Sequence, residues 1–226
     1  MSLLTIRYDQ DFIMEEFKRN FKITISILVL QLISTLSANS LLAEDNRLSP
    51  KESKILKETF KYAEDFEARK LRIDKKAYLR HSNFESIFKF GFSGRKLVNW
   101  IQTRIKSYSS GATGDFIAYF QNGEVILGKQ FFSLNKLDRF LTILHEARHA
   151  DGKEFTHVNC PDDFLFLNPR DIRISPANKK ACDFRTDGSY GITASVLFEM
   201  GAYGYLSSQE TAYRYNSEIS RILPEE

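Results

Sequence analysis

Cysteine, histidine and proline are all scarce in this chain of 226 residues, which holds two Cys, four His, five Pro and a single Trp. Two cysteines with no CxxC pair exclude a thiolate zinc cluster, a redox dithiol motif and a small disulfide-dense scaffold. An excess of one charge is missing too. Thirty-two Lys+Arg stand against 29 Asp+Glu, a net +3, so the concentrated basic field of a dedicated nucleic-acid binder is absent and no nucleic-acid partner is expected. No apolar run reaches the roughly 20 residues that a membrane-crossing helix needs, and no internal repeat or interdomain linker is visible. What is present, 42% hydrophobic and 27% charged residues, suffices for one well-cored domain.

The longest apolar stretch is residues 23–36, ITISILVLQLISTL, which follows Lys18, Arg19 and Lys22 and precedes the small residues Ala38, Asn39 and Ser40. This is the three-part layout of a secretory signal peptide. Residues 1–40 are therefore expected to be a signal peptide, with Met14 a better start than Met1 because Asp9 and Asp11 fit no basic n-region. Residues 41–226 would then form a single exported domain, periplasmic or extracellular in a bacterium, with no stable membrane span. An uncleaved anchor and an amphipathic core helix are the competing readings. In an oxidising compartment Cys160 and Cys182 pair most simply as a disulfide, stabilising the fold by about 3 kcal/mol in the chain-entropy model.

Along the rest of the chain, Ser49-Pro50 is a helix start, and Ile55, Leu56, Phe60, Ala63 and Phe66 extend the helix over about 50–67. The basic stretch 69–80 reads as a solvated helix face or loop. Leu97, Val98, Ile101 and Ile105 give a second helix, and the polar run 109–114 a loop. Two β-branched and aromatic runs, 115–121 and 124–132, flank Asn122-Gly123, the strongest short-range hairpin signal. From Ser133 as N-cap, Leu134, Leu137, Leu141 and Leu144 recur at helical spacing up to about Gly152. Residues 153–188 read as a long loop, 189–206 and 208–223 as helices, and Ser207 with Glu210 as a capping box. The fold class is α+β.

Three of the four histidines, His145, His149 and His157, fall in one short window. Residues 145–149 read His-Glu-Ala-Arg-His, an HExxH sequence on the helix just deduced. Two histidines four apart lie one turn above the other on the same face, so both imidazoles reach one metal ion while Glu146 faces the water that the metal activates. Zinc suits such a donor set, and Glu146 is the expected general base. Arg148 stands where such a motif usually has an uncharged residue, and an acid such as Asp151 or Asp183 is its expected partner.

The stretch resembles the zincin metallopeptidases, in which a hairpin or edge strand precedes the HExxH helix. The resemblance implies a zincin-like fold and an extended peptide or protein substrate lying along part of residues 115–132. Two subgroups offer different third ligands. The metzincin pattern HExxHxxGxxH matches through Gly152, but its last His falls two residues late, at His157, with Phe155 at the matching place. The aspzincin pattern GTxDxxYG is half present, in Asp187-Gly188-Ser189-Tyr190-Gly191, with Phe184 and Arg185 in place of Gly-Thr. His157, Asp187 and, in the gluzincin manner, Glu199 all stand as candidates. The resemblance also assigns Tyr190 to steadying the oxyanion. Met200 falls at helical spacing with Val196 and Leu197 and reads as core. The expected function is a zinc-dependent peptidase with one Zn2+ per chain. A noncatalytic envelope scaffold with a vestigial HExxH is the alternative, and a membrane-surface protein anchored by residues 23–36 a third reading.

Overall fold

The capping box at Ser49 and Glu52 closes in both directions. Ser49 Oγ accepts from the Glu52 amide and a Glu52 carboxylate oxygen accepts from the Ser49 amide, with Pro50 in the first turn. These three residues fix the start of α1 (Pro50–Glu64). The computed structural model describes residues 48–162, 165–167, 173–174 and 179–224, so the proposed signal segment, residues 1–40, lies outside the described residues. Among them, no helix is long and apolar enough to cross a membrane.

The architecture is α+β, with helices around small sheets. After α1 come α2 (Lys75–His81), α3 (Phe84–Phe88) and α4 (Gly94–Gln102). The basic stretch becomes α2, capped by Asp74 and burying none of its residues, which matches its reading as a solvated face. At the crossing of α1 and α4 only glycine fits: a Cβ on Gly94 would stand 1.8 Å from the Ala63 carbonyl oxygen, and the Gly94 amide donates to Phe66 O at 2.6 Å.

A three-stranded sheet follows, built from β1 (Ser107–Ser110), β2 (Ala118–Gln121) and β3 (Glu124–Leu127), in the order β1-β3-β2. The hairpin of β2 and β3 turns at Asn122 and Gly123, both with positive φ (53° and 88°), as a two-residue primed turn requires. The polar segment expected to be loop begins instead as β1, paired in parallel with β3. Its side chains carry little apolar signal, and the ladder to the hairpin is what orders it. The second hairpin run is also shorter than its composition suggests. Gly128 ends the strand, and residues 129–133 coil into α5 (Lys129–Ser133), which buries Phe131 completely.

Helix α6 (Lys136–Arg148) is capped by Asn135, whose Oδ1 accepts from the Asp138 amide at 2.9 Å. Ser133, the expected cap, closes α5 instead through its own hydroxyl on Gln130 O. The buried face of α6 carries Leu137, Phe140, Leu141, Ile143, Leu144 and Ala147. A tighter turn, His149–Asp151, continues the helix to Gly152 at φ 144°. The expected long loop contains two short antiparallel ribbons, β4 (Val158–Asn159) with β7 (Lys180–Cys182) and β5 (Phe166–Leu167) with β6 (Arg173–Ile174). The Cys160–Cys182 disulfide is formed, with Cα atoms 5.3 Å apart. Helix α7 (Ser189–Ala202) is buried on nearly every side, Met200 included, and stops short of the expected 206. Helix α8 (Ser208–Ile219) packs along it. Only one half of the expected capping box forms there, since the Glu210 carboxylate pairs with Arg214 instead.

Candidate metal centre

The two histidines of HExxH leave α6 on one face, and the turn that follows returns His157 to them. His145 Nε2 lies 2.9 Å from His157 Nε2, and the three side chains offer nitrogen atoms that all lie within 4.8 Å of one another. Two of the three imidazoles have their orientation set. His149 Nδ1–H donates to Phe155 O at 2.6 Å and His157 Nδ1–H to Asp183 Oδ1 at 2.6 Å, which leaves the Nε2 lone pair of both rings free. Burial, followed by the neighbouring His157, pushes His149 down to about 4 and His145 well below the usual imidazole range. Both rings are therefore neutral at pH 7, the state in which they can hold a metal ion.

The delayed third histidine has a structural cause. An extra short turn, Lys153–Phe155, occupies the place where a tighter loop would bring the chain back. Phe155 fills its position in two ways. Its carbonyl accepts from His149, and its ring lies 3.8 Å beneath the Arg148 guanidinium. Arg148 bonds Asp151 at 2.7 Å, the Asp187 carbonyl at 2.8 Å and the Asp187 carboxylate at 3.1 Å. The charged residue inside HExxH is thus a rivet between the helix end and the segment leading to α7. Of its two expected partners Asp151 is found, whereas Asp183 is engaged by His157.

Asp187 stands outside the trio of imidazoles, its carboxylate held by Arg148 and by Arg185. Glu199 is also elsewhere. It is fully buried in α7, accepts from Tyr78 Oη and Ser82 Oγ, and burial raises its carboxyl above the ordinary range. Glu146 lies within the site, with Oε2 4.0 Å from His149 Nε2. Burial pushes its carboxyl up to about 8, partly offset by a hydrogen bond from the Phe120 backbone in β2. Tyr190 packs its ring 4.8 Å from that of His145 and stacks on that of His157 at 4.9 Å. Its oxygen accepts from Arg221 Nη1 at 3.0 Å, and burial raises the phenol to about 12, so it remains protonated.

Two contributors have no signature in the sequence. Asp183 is 4% exposed and serves both His157 and the start of α7, where its Oδ2 accepts the Tyr190 amide at 3.2 Å. Helix α7 has no side-chain cap of its own at Gly188, so Asp183, shortly upstream in the sequence, supplies one. Arg221 reaches Tyr190 because the segment after α8 is stitched to Asp183 by two backbone hydrogen bonds, Asp183 N to Arg221 O and Leu223 N to Asp183 O. The trio opens on a cleft of about 1490 Å³. One wall is β2, an edge strand of the sheet, and the other includes Arg214, Ser217 and Glu218 of α8. In comparisons with known proteins the chain matches no family model, no curated protein and no solved structure.

Proposed function

We propose that this chain is an exported, zincin-like zinc metallopeptidase, in which His145, His149 and His157 hold the metal and Glu146 is the general base. The convergence of three imidazoles, two with their Nδ1–H groups tied to acceptors, carries the reading. The donor set fits zinc: three imidazole nitrogens within 4.8 Å of one another are the kind of ligands that a three-ligand catalytic zinc site takes. A zinc ion bound there with its fourth position open would lower the pKa of a water to about 7 and polarise a substrate carbonyl.

The protein's own groups account for the other requirements. Glu146, buried beside the imidazoles, would act as general base once the charge of a bound cation drew its carboxyl down from the raised value that burial alone gives, taking a proton from water and passing it to the leaving amine. Tyr190 keeps its phenolic proton and accepts from Arg221, so its O–H is free to donate to a carbonyl oxygen that gains charge. Among the described residues strand β2 pairs with another strand on one side only, and an extended peptide can add along its other edge, beside the cleft. The disulfide fits an oxidising, exported setting. Glu146→Ala tests the reading: zinc content should stay at one per chain while hydrolysis of an unstructured protein such as casein disappears. Hydrolysis that survives the substitution would refute the mechanism.

A further inference from the structure

The three imidazoles are not anchored alike. His145 and His149 extend from α6, whose Leu137, Leu141 and Leu144 belong to the main apolar core. His157 lies in the connection that enters β4, a strand of two residues with an irregular register against β7. A ribbon that short has little independent stability in water. Cys160 and Cys182 belong to a separate small cluster, completed by Leu223 and flanked by Val158 and Ala181. Cys160 follows His157 by three residues and Cys182 immediately precedes Asp183, so the S–S bond clamps together the two strands that bring His157 Nδ1 to Asp183 Oδ1.

We propose that formation of the Cys160–Cys182 bond completes the metal site. The oxidised chain presents three imidazoles, the reduced chain two, and the metal is held tightly only after oxidation. The inference rests on the reading of the trio as a zinc site and not on hydrolysis. In the oxidation step the two thiols give up two electrons and two protons to a disulfide-bearing oxidant, by way of a mixed disulfide. The oxidant leaves as a dithiol as the new S–S bond forms. Both sulfurs end up in residues that are 2% and 0% exposed, so the bond is shielded from reductants once the chain has folded. The dependence therefore acts in one direction, keeping the chain poor in metal in a reducing compartment and ready to load after export.

The test is a zinc titration of the full chain in competition with a chromophoric chelator. It compares the oxidised protein, the protein reduced in denaturant and refolded under a phosphine reductant, and the Cys160→Ser/Cys182→Ser double variant, with far-UV circular dichroism recorded on each. One zinc per oxidised chain is expected, bound at least tenfold more tightly than by either thiol-free or reduced form, all three keeping their helices. His157→Ala should lower the affinity of the oxidised protein to the same level and change nothing further in the double variant. Equal affinities in oxidised and reduced protein would overturn the proposal, as would no zinc binding at all. A further drop on adding His157→Ala to the double variant would overturn it too, because His157 would then bind without the clamp. Loss of the helices in both the reduced protein and the double variant would equally overturn it, since the bond would then be a requirement of the whole fold. Tight, oxidation-dependent zinc without peptide hydrolysis would leave the inference standing and defeat only the hydrolase reading.

Discussion

Asp183→Asn changes one atom at a residue that accepts two hydrogen bonds from different parts of the chain. Oδ1 takes His157 Nδ1–H at 2.6 Å and Oδ2 takes the Tyr190 amide at 3.2 Å. Asn has one acceptor and one donor on that fork, so either rotamer sets an N–H against an N–H. If the amide oxygen stays on His157, the start of α7 loses its only side-chain acceptor, a loss of about 1 kcal/mol on the scale of helix N-caps. For a domain of this size that lowers Tm by roughly 2–4 °C. If the oxygen turns to Tyr190, His157 loses its orienting partner, and even in the first case it loses the charge that makes the ring a better donor. Removing such a partner weakens metal binding by about 10–100-fold, or about 1.4–2.7 kcal/mol. Zinc titration of wild type and variant in competition with a chelator, with melting of both metal-free proteins, separates the two effects. An unchanged zinc affinity would refute the claim that Asp183 positions His157.

Two further substitutions read other parts of the site and core. Asp187→Ala should leave zinc affinity within about twofold and lower stability by about 1 kcal/mol or less, because the partly exposed carboxylate bonds only Arg148 and Arg185; a tenfold loss of zinc in the same titration would restore Asp187 as a ligand. Glu199→Gln concerns pH. Burial raises the Glu199 carboxyl above its ordinary 4.5, so its contribution to stability is fully present below about pH 4.5 and is lost as the pH rises through the folded value. The Gln variant, which keeps partners in Ser82 and Tyr78 and cannot ionise, should therefore match wild type in acid and melt higher than wild type at pH 8. A constant Tm difference across that range would show that the Glu199 carboxyl titrates alike in the folded and unfolded chain and would refute the reasoning.

Much of the scaffold was legible because local physics dominates there. Ser49-Pro50 marks a helix start from the sequence alone, and the structure adds Glu52 as the other half of a capping box. Asn122-Gly123 supplies the positive φ angles of a hairpin turn, and the leucines of α6 mark a buried stripe. HExxH is legible for the same reason, since its spacing is that of one helical turn. The strand β1 was not, because a Ser-rich segment pairs only when a neighbouring hairpin offers its edge. The cap of α6 was not legible either: Ser133 was the expected cap, but residues 129–133 coil into α5 around the buried Phe131, and Asn135 caps α6 instead.

The sequence by itself determined that two imidazoles share one face of a helix with a carboxylate beside them, and it narrowed the third ligand to a short set of candidates. Tertiary structure decided where each of those candidates lies. It drew Asp187 to Arg148 and Arg185, sank Glu199 beneath Tyr78 and Ser82, and brought His157 to 2.9 Å from His145. It also recruited Asp183 and Arg221, whose roles depend on a disulfide, a two-residue ribbon and a backbone bridge to the segment after α8. The physical reason is the range of the forces involved. Helical periodicity acts over four residues and is written in the chain, whereas the partner of a buried charge is chosen by whichever opposite group the folded chain carries within about 3 Å of it.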